Sequence, residues 1–319
     1  MRKVFLTRKI PQTPLHELQK ICDLKYNDLD RNLTQEEIIE QAEDCKILFC
    51  LLGDKIDQRV IDALPKLQGI VNYAVGYNNI DIAYATQRGI AVTNTPGVLT
   101  ETTADLAWAL IFSVARRVVE ADQLTRSGNF KGWAPELLLG GDIHGKTLGI
   151  VGAGRIGKAV AKRAVGFNMK LLYTSRNSQM DLPNSEKVEL DYLLQNADFI
   201  SLHVPLTEQT RHLIAAREFE MMKSSTFLIN TARGAVVKEA DLLAALQNKQ
   251  IAGAGLDVYE EEPRLISGLN KLSNVVLLPH VGSGTLETRD EMGMICINNI
   301  KAILAGELPP DLVNTDVKK

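Results

Sequence analysis

Arg233, Glu262 and His280 each lie a few residues beyond a short apolar run that predicts a β-strand. A histidine can donate or accept a proton near neutral pH. A neighbouring carboxylate orients the imidazole ring and stabilises its charged form, and a guanidinium can bind a carboxylate or polarise a carbonyl oxygen through its planar fork. These residue types therefore predict a site that delivers a proton to a polarised carbonyl group.

The choice of acid is open at the level of spacing, because Glu260, Glu261 and Glu262 are consecutive before Pro263. The remaining histidines lack a partnered motif. One of them, His203, follows an apolar run and could line a cleft, although we favour a structural role for it. These other histidines are His16, His144, His203 and His212.

A glycine-rich turn precedes these residues in the chain. The apolar run 147–151 leads into Gly152-Ala153-Gly154-Arg155-Ile156-Gly157, and a helical stretch follows. In this strand–turn–helix context the GxGxxG pattern is typical of dinucleotide binding. The first glycine permits a tight turn, the second lets the backbone approach a pyrophosphate, and the third allows close packing of helix on strand. The N-terminus of the helix then offers unpaired N–H groups to the anion.

The next predicted strand indicates which dinucleotide binds. An NAD site usually ends this strand with an acid that accepts hydrogen bonds from the ribose 2′-OH. Here the strand 170–174 is followed by Ser175-Arg176-Asn177 and carries no carboxylate. An acid would repel a 2′-phosphate, whereas Arg and Ser would hold one. The sequence therefore favours NADP(H), with NAD(H) possible if Arg176 is a solvated surface residue.

Apolar runs and helical stretches alternate along the whole chain, which predicts an α/β fold with parallel sheets. We expect two doubly wound domains: residues 1–98 with 287–319 form one discontinuous domain, and residues 99–286 form the dinucleotide-binding domain. Strands are predicted at 2–7, 46–52, 67–71, 90–93, 146–151, 170–174, 198–202, 226–230, 251–256 and 275–278. Helices are predicted at 14–22, from a capping box at Thr34 and Glu37, and at 81–88, 100–127, 155–165 and 285–305.

Composition limits the classes of partner. The formal net charge is −3, with no long run of Lys or Arg, so neither nucleic acid nor a membrane surface is the expected partner. No segment approaches the roughly 20 apolar residues that span a bilayer. The four cysteines are scattered without metal-like spacing, which predicts small core residues, no metal site and a reduced, cytoplasmic setting.

The combined motifs resemble the D-isomer-specific 2-hydroxyacid dehydrogenase family, and within it the glyoxylate/hydroxypyruvate reductase branch. The resemblance runs over nearly the whole chain, from residues 74–81 (AVGYNNID) through 95–101 (TPGVLTE) to the segment around His280. It implies a Rossmann cofactor domain and a flavodoxin-like substrate domain that contains both termini, with a cleft between them. It also implies a homodimer that reduces short 2-oxo acids, such as glyoxylate and hydroxypyruvate, to D-2-hydroxy acids.

The resemblance also implies roles for individual residues. Arg233 would bind substrate, Glu262 would pair with His280, and His280 would be the proton donor. Asp257 resembles the family's acid near the nicotinamide amide, and Leu52, Val75 and Gly76 would contact the substrate, the last two through backbone amides. The implied cofactor contacts are Ala153, Gly154, Arg155, Ile156, Ser175, Arg176, Asn177, Thr231, Ala232, Arg233, Asp257, His280, Val281 and Gly282.

Two alternatives stay open. One is a dehydrogenase of the same fold that acts on another acid, such as 3-phosphoglycerate, 2-ketogluconate, formate or phosphite. The other is a non-enzymatic, nucleotide-sensing binding protein. The Arg–Glu–His set argues against a sensor, because a sensor needs no proton donor.

Overall fold

The structure is a computed structural model that describes residues 3–29 and 31–317. The chain divides into two compact units, Met1–Leu99 with Ser283–Lys319, and Thr100–Gly282. Residue 2, where the first strand was predicted to begin, lies outside the described residues, as do positions 1, 30, 318 and 319 of the predicted discontinuous domain. Within the described residues no helix is long and apolar enough to cross a bilayer.

The strands of the described residues are β1 (Lys3–Leu6), β2 (Asp23–Tyr26), β3 (Ile47–Cys50), β4 (Gly69–Asn72), β5 (Ala91–Thr93), β6 (Thr147–Val151), β7 (Lys170–Thr174), β8 (Ser185–Lys187), β9 (Phe199–Leu202), β10 (Phe227–Asn230), β11 (Gly253–Leu256) and β12 (Val275–Leu277). The α-helices are α1 (Gln12–Ile21), α2 (Gln35–Ala42), α3 (Gln58–Ala63), α4 (Ile82–Gln87), α5 (Thr100–Ala115), α6 (Val118–Arg126), α7 (Arg155–Ala164), α8 (Leu190–Asn196), α9 (Ala216–Met221), α10 (Glu239–Gln247) and α11 (Leu286–Ala305).

The first unit contains a parallel five-stranded sheet in the order β2-β1-β3-β4-β5. Its central strands β3 and β4 are buried along their full length, as expected for a parallel sheet with an apolar core on each face. The predicted capping box is present, since Thr34 Oγ1 accepts from the Glu37 amide at 3.2 Å and Glu37 Oε2 accepts from the Thr34 amide at 2.8 Å. The short, half-exposed edge strand β2 was not predicted because its polar DLKY sequence carries no apolar run.

The second unit contains a parallel seven-stranded sheet in the order β12-β11-β10-β9-β6-β7-β8. The chain builds β7 and β8 outward on one side of β6 and then continues with β9 on the other side. The carboxyl ends of β6 and β9 therefore flank a topological switch point, where ligands bind in open α/β sheets. Together with the first sheet, this confirms the predicted α/β class with two doubly wound parallel sheets.

The single helix predicted over residues 100–127 is wrong. The chain forms α5 and α6 instead, because Arg117 adopts a left-handed conformation with φ 53°. The Ala115 carbonyl accepts from the Gly141 amide at 2.9 Å, which replaces the bond that a continuous helix would make. Helix α5 buries its apolar face in the core of the second unit, whereas α6 has no fully buried residue.

Candidate active site

The glycine turn has the geometry that each of its glycines was predicted to provide. Gly152 adopts φ 100°, which a side chain rarely tolerates, and its amide donates to the Thr174 carbonyl at 3.0 Å. A Cβ atom on Gly157 would overlap the Gly152 carbonyl oxygen and would lie 3.1 Å from Ile150 Cγ2. Glycine at this position thus lets α7 begin directly against β6.

Gly154 differs from the other two glycines, because a Cβ added there would meet no protein atom within 4 Å. The residue is the N-cap of α7, and both it and Arg155 are exposed. A ligand that approaches the backbone at Gly154 requires this open space. The first-turn amides of α7 can bind an anion there. These features fit the pyrophosphate of a dinucleotide.

Ser175, Arg176 and Asn177 follow β7, which pairs with β6, so they lie just beyond the carboxyl end of the strand next to the glycine turn. Arg176 and Asn177 are exposed, and Ser175 Oγ accepts from the Ser178 amide at 3.2 Å. Within residues 3–29 and 31–317, no carboxylate forms an ion pair with Arg176. The guanidinium is thus available to a phosphate in solvent.

Arg233 is positioned by the turn that follows β10. Buried Asn230 accepts from the Ala232 amide and donates to the Arg233 carbonyl oxygen, both at 3.0 Å. The Arg233 Nη1 atom donates to the Ala232 carbonyl at 2.7 Å. Burial lowers the pKa of Arg233 and the nearby charge of Glu262 opposes this shift. The guanidinium keeps its charge near neutral pH, because the arginine side chain is not deprotonated in proteins.

Glu262 and His280 form the carboxylate–imidazole pair. His280 Nδ1 lies 2.7 Å from Glu262 Oε2, and Glu262 Oε1 accepts from the Tyr259 amide at 3.1 Å. Burial raises the pKa of Glu262, but the hydrogen bond and the charge of His280 outweigh burial, so that the pKa lies below its usual value. The carboxylate is therefore ionised and holds the Nδ1 proton, which leaves Nε2 for a substrate.

Asp257 anchors the backbone on which His280 lies. It follows β11, is 1% exposed, and its Oδ1 accepts from the Val281 amide at 2.7 Å. Burial raises the pKa of Asp257, while the Val281 amide and the His280 charge act against that rise. The opposite side of the same turn is fixed by Thr103 Oγ1, which donates to the Gly282 carbonyl at 3.1 Å.

The structure separates the three consecutive acids. Glu260 Oε1 lies 2.5 Å from His212 Nε2, Glu261 is exposed, and only Glu262 contacts His280. The partnership of His212 could not be predicted from the sequence, because its acid lies 48 residues further along the chain. The sequence carries no signal for Glu239 either, whose carboxylate accepts from the Glu260 amide at 2.8 Å.

Two further polar side chains lie at the ends of the central strands. Thr231 follows β10 and is 8% exposed, and its Oγ1 has no hydrogen-bond partner within the described part of the chain. A buried hydroxyl of this kind can accept or donate to a bound ligand. His203 follows β9, and its Nε2 lies 2.8 Å from Ser201 Oγ. That contact supports the structural role favoured for His203.

The predicted substrate residues of the first unit lie at the ends of its adjacent strands β3 and β4. Leu52 is 40% exposed. The Val75 carbonyl accepts from Asn94 Nδ2 at 2.8 Å and the Gly76 carbonyl from Asn72 Nδ2 at 2.9 Å. Among the described residues no acceptor bonds the amides of Val75 and Gly76. These amides are therefore available as donors.

Over residues 3–29 and 31–317, no group of three or more His, Cys, Asp or Glu side chains could hold a metal ion. The polar groups described above are instead hydrogen-bond donors, a carboxylate–imidazole pair and a guanidinium.

The family model for the D-isomer specific 2-hydroxyacid dehydrogenase, NAD binding domain, matches residues 108–282. The glyoxylate reductase of Thermococcus litoralis is 49% identical over 99% of this chain and 97% of its own length. That of Korarchaeum cryptofilum has the same identity and coverage.

Solved structures are also similar to this chain over nearly its whole length. The TT0316 protein from Thermus thermophilus has a TM-score of 0.91 at 42% identity and covers 98% of this chain and 99% of that chain. The NADPH-dependent glyoxylate/hydroxypyruvate reductase from Sinorhizobium meliloti, in complex with NADP and malonate, has a TM-score of 0.90 at 32% identity and covers 100% and 98%. This chain therefore belongs to the D-isomer-specific 2-hydroxyacid dehydrogenase family, in the branch whose curated relatives are named glyoxylate reductases, and is an NAD(P)-dependent oxidoreductase.

Proposed function

We propose that this protein reduces glyoxylate, and with it hydroxypyruvate and similar short 2-oxo acids, to D-2-hydroxy acids. The observation that carries the proposal is the 2.7 Å contact between Glu262 and His280 in the same unit as Arg233 and the glycine turn. The names of the relatives support glyoxylate as the first substrate to test.

His280 is the proposed proton donor. The reduced nicotinamide supplies a hydride to the carbonyl carbon when it is bound. The carbonyl oxygen then takes a proton from Nε2 of the His280 imidazolium, because Nδ1 is engaged with Glu262. Glu262 orients the ring and stabilises its charged form, so its role depends on the carboxylate staying ionised.

Arg233 is the proposed substrate-binding cation. Its planar fork can bind the carboxylate of a 2-oxo acid in two hydrogen bonds, or polarise the carbonyl oxygen as negative charge develops there. In the first unit the amides of Val75 and Gly76 are donors of the kind that a carboxylate accepts, and Leu52 offers an exposed apolar surface. We propose that these residues bind the substrate.

The proposed cofactor is NADP(H) in preference to NAD(H). Arg176 is exposed and follows a strand that ends without a carboxylate, so it suits a 2′-phosphate. The proposed pyrophosphate contacts are Gly154, Arg155 and Ile156. The buried hydroxyl of Thr231, which has no hydrogen-bond partner among the described residues, is available to the same ligand.

The homodimer that the family resemblance implies remains a prediction.

The test is a kinetic comparison of glyoxylate, hydroxypyruvate, pyruvate and 2-ketogluconate, each with NADPH and with NADH. We expect the highest kcat/KM for glyoxylate or hydroxypyruvate with NADPH. A preference for 2-ketogluconate, or for 3-phosphoglycerate, formate or phosphite in the oxidative direction, would replace the proposed substrate class. Absence of turnover on every acid would favour the nucleotide-sensing alternative.

A further inference from the structure

A second histidine–carboxylate pair lies beside the first. His212 Nε2 is 2.5 Å from Glu260 Oε1, and both side chains are partly buried. Glu260 precedes Glu262 by two residues in the loop between β11 and β12. The proposed mechanism uses neither His212 nor Glu260, although their contact fixes the loop that carries Glu262.

Glu239, at the start of α10, holds the same loop from the other side. Its carboxylate accepts from the Glu260 amide at 2.8 Å and from the Ile266 amide at 3.3 Å. In return, Glu260 Oε2 accepts from the Glu239 amide at 3.1 Å. Glu239 is only 7% exposed, and a buried carboxylate is stable only when amide donors of this kind satisfy it. The loop is therefore tied to α10 through both the backbone and the side chain of Glu260.

The segment that carries His212 also holds the turn of Arg233. The His212 amide donates to the Ala235 carbonyl at 2.8 Å, and the Ile214 amide donates to the Val236 carbonyl at 3.1 Å. A Cβ atom on Gly234 would overlap the Tyr259 carbonyl, so the Arg233 turn also packs directly against the loop. One cluster of contacts thus fixes the backbone on both sides of the proposed chemistry.

We propose that His212, Glu260 and Glu239 are positioning residues that set the distance of Glu262 from His280 and the placement of Arg233. As far as it concerns catalysis, this inference rests on the proposed function. Of the charged groups around this cluster, Arg211 acts on Glu260. Arg233 and His280 act on Glu262, and Asp257 interacts with both Glu262 and His280. A loop released from His212 and Glu239 would let Glu262 move away from the imidazole.

The kinetic test compares Glu260→Ala with Glu261→Ala, which removes a carboxylate of the same size from the next, exposed position. We expect Glu260→Ala to lower kcat about tenfold to hundredfold, because misplacing a catalytic group by about 1 Å has an effect of this size. The KM for the cofactor should change much less than kcat, since the proposed pyrophosphate and 2′-phosphate contacts follow β6 and β7.

Two further variants separate positioning from general damage to the fold. Glu260→Gln keeps an acceptor for the Glu239 amide and should recover much of the lost kcat. In a double-mutant cycle, the variant with both His212→Gln and Glu260→Ala should have the same kcat as Glu260→Ala alone, because each change breaks the same contact between His212 and Glu260. Additive losses in the double variant would overturn the role of the His212–Glu260 pair.

A spectroscopic readout does not depend on turnover. In ¹⁵N-histidine NMR above neutral pH, the bond from Nδ1 to Glu262 should hold His280 in its Nδ1–H tautomer. We expect Glu260→Ala to convert a measurable part of His280 to the Nε2–H tautomer, and Glu261→Ala to leave the wild-type signal. An unchanged tautomer with unchanged kcat would overturn the inference. A wild-type protein that reduces no 2-oxo acid would overturn the proposed function instead, and the tautomer would still decide this inference.

Discussion

His280 reaches Glu262 at 2.7 Å from a backbone in the left-handed region, with φ 56°. Such a conformation is uncommon for a residue other than glycine and persists where the surroundings fix it. Asp257 provides that constraint, because it binds the amide of the next residue, Val281, at 2.7 Å. The orientation of the imidazole therefore depends on two carboxylates, one that binds its ring and one that binds its backbone.

The first prediction concerns the proton donor. His280→Ala should lower kcat by about 10²- to 10⁴-fold, the range that general acid–base groups contribute. The dissociation constant of NADPH, measured by fluorescence titration, should stay within about twofold, because the variant leaves the proposed pyrophosphate contacts Gly154–Ile156 and the proposed 2′-phosphate contact Arg176 intact. The matched control is His144→Ala, which removes a histidine whose ring contacts the exposed side chain of Asn168. Wild-type turnover in His280→Ala would remove His280 from the mechanism.

The second prediction compares two glycines of the same turn. Gly157→Ala should lower the free energy of unfolding by about 1–3 kcal/mol, because its Cβ overlaps the Gly152 carbonyl. Gly154→Ala should leave that free energy within about 0.5 kcal/mol, since its Cβ meets no protein atom within 4 Å and its φ of −74° suits alanine. It should nevertheless weaken NADPH binding about tenfold or more, because the methyl group occupies the space that the pyrophosphate needs. Urea unfolding and fluorescence titration measure both quantities, and tight NADPH binding by Gly154→Ala would place the pyrophosphate elsewhere.

The sheet and the positions of Arg233, Glu262 and His280 could be predicted because the carboxyl ends of parallel strands lie at one edge, whatever the loops between them do. The roles of the three glycines in the turn could also be predicted, because each depends on the adjacent strand β6 and the adjacent helix α7. The break between α5 and α6 could not be predicted, because Arg117 is neither Gly nor Pro and the amide that replaces the helical bond belongs to distant Gly141. The selection of Glu262 from three acids depended on the family motif, since spacing alone does not reveal that His212 binds Glu260.

The third prediction concerns the choice of cofactor. Arg176→Ala should raise the dissociation constant of NADPH about tenfold to hundredfold, since hydrogen bonds to charged groups contribute about 1.5–3 kcal/mol each. The dissociation constant of NADH should change little, because NADH has no 2′-phosphate. Lys187→Ala, which removes an exposed cation from the edge strand β8, is the control for a general loss of positive charge. Equal weakening of both cofactors would contradict the assignment of Arg176 to the 2′-phosphate.

The fourth prediction is a dependence of stability on pH that comes from His203. Burial lowers the pKa of His203 to about 3, whereas an unfolded histidine titrates near 6.5. Below pH 6.5 the unfolded chain therefore binds a proton that the folded chain does not, so this residue makes the free energy of unfolding fall as the pH drops from about 6.5 towards 3. The slope reaches about 1.4 kcal/mol per pH unit, or about 2 kcal/mol between pH 6.5 and 5. In His203→Gln that part of the fall should disappear, whereas His16→Gln, which changes an exposed histidine, should keep the wild-type slope. Urea unfolding at pH 6.5 and pH 5 measures the difference, and parallel slopes in all three proteins would mean that His203 is protonated in the folded state.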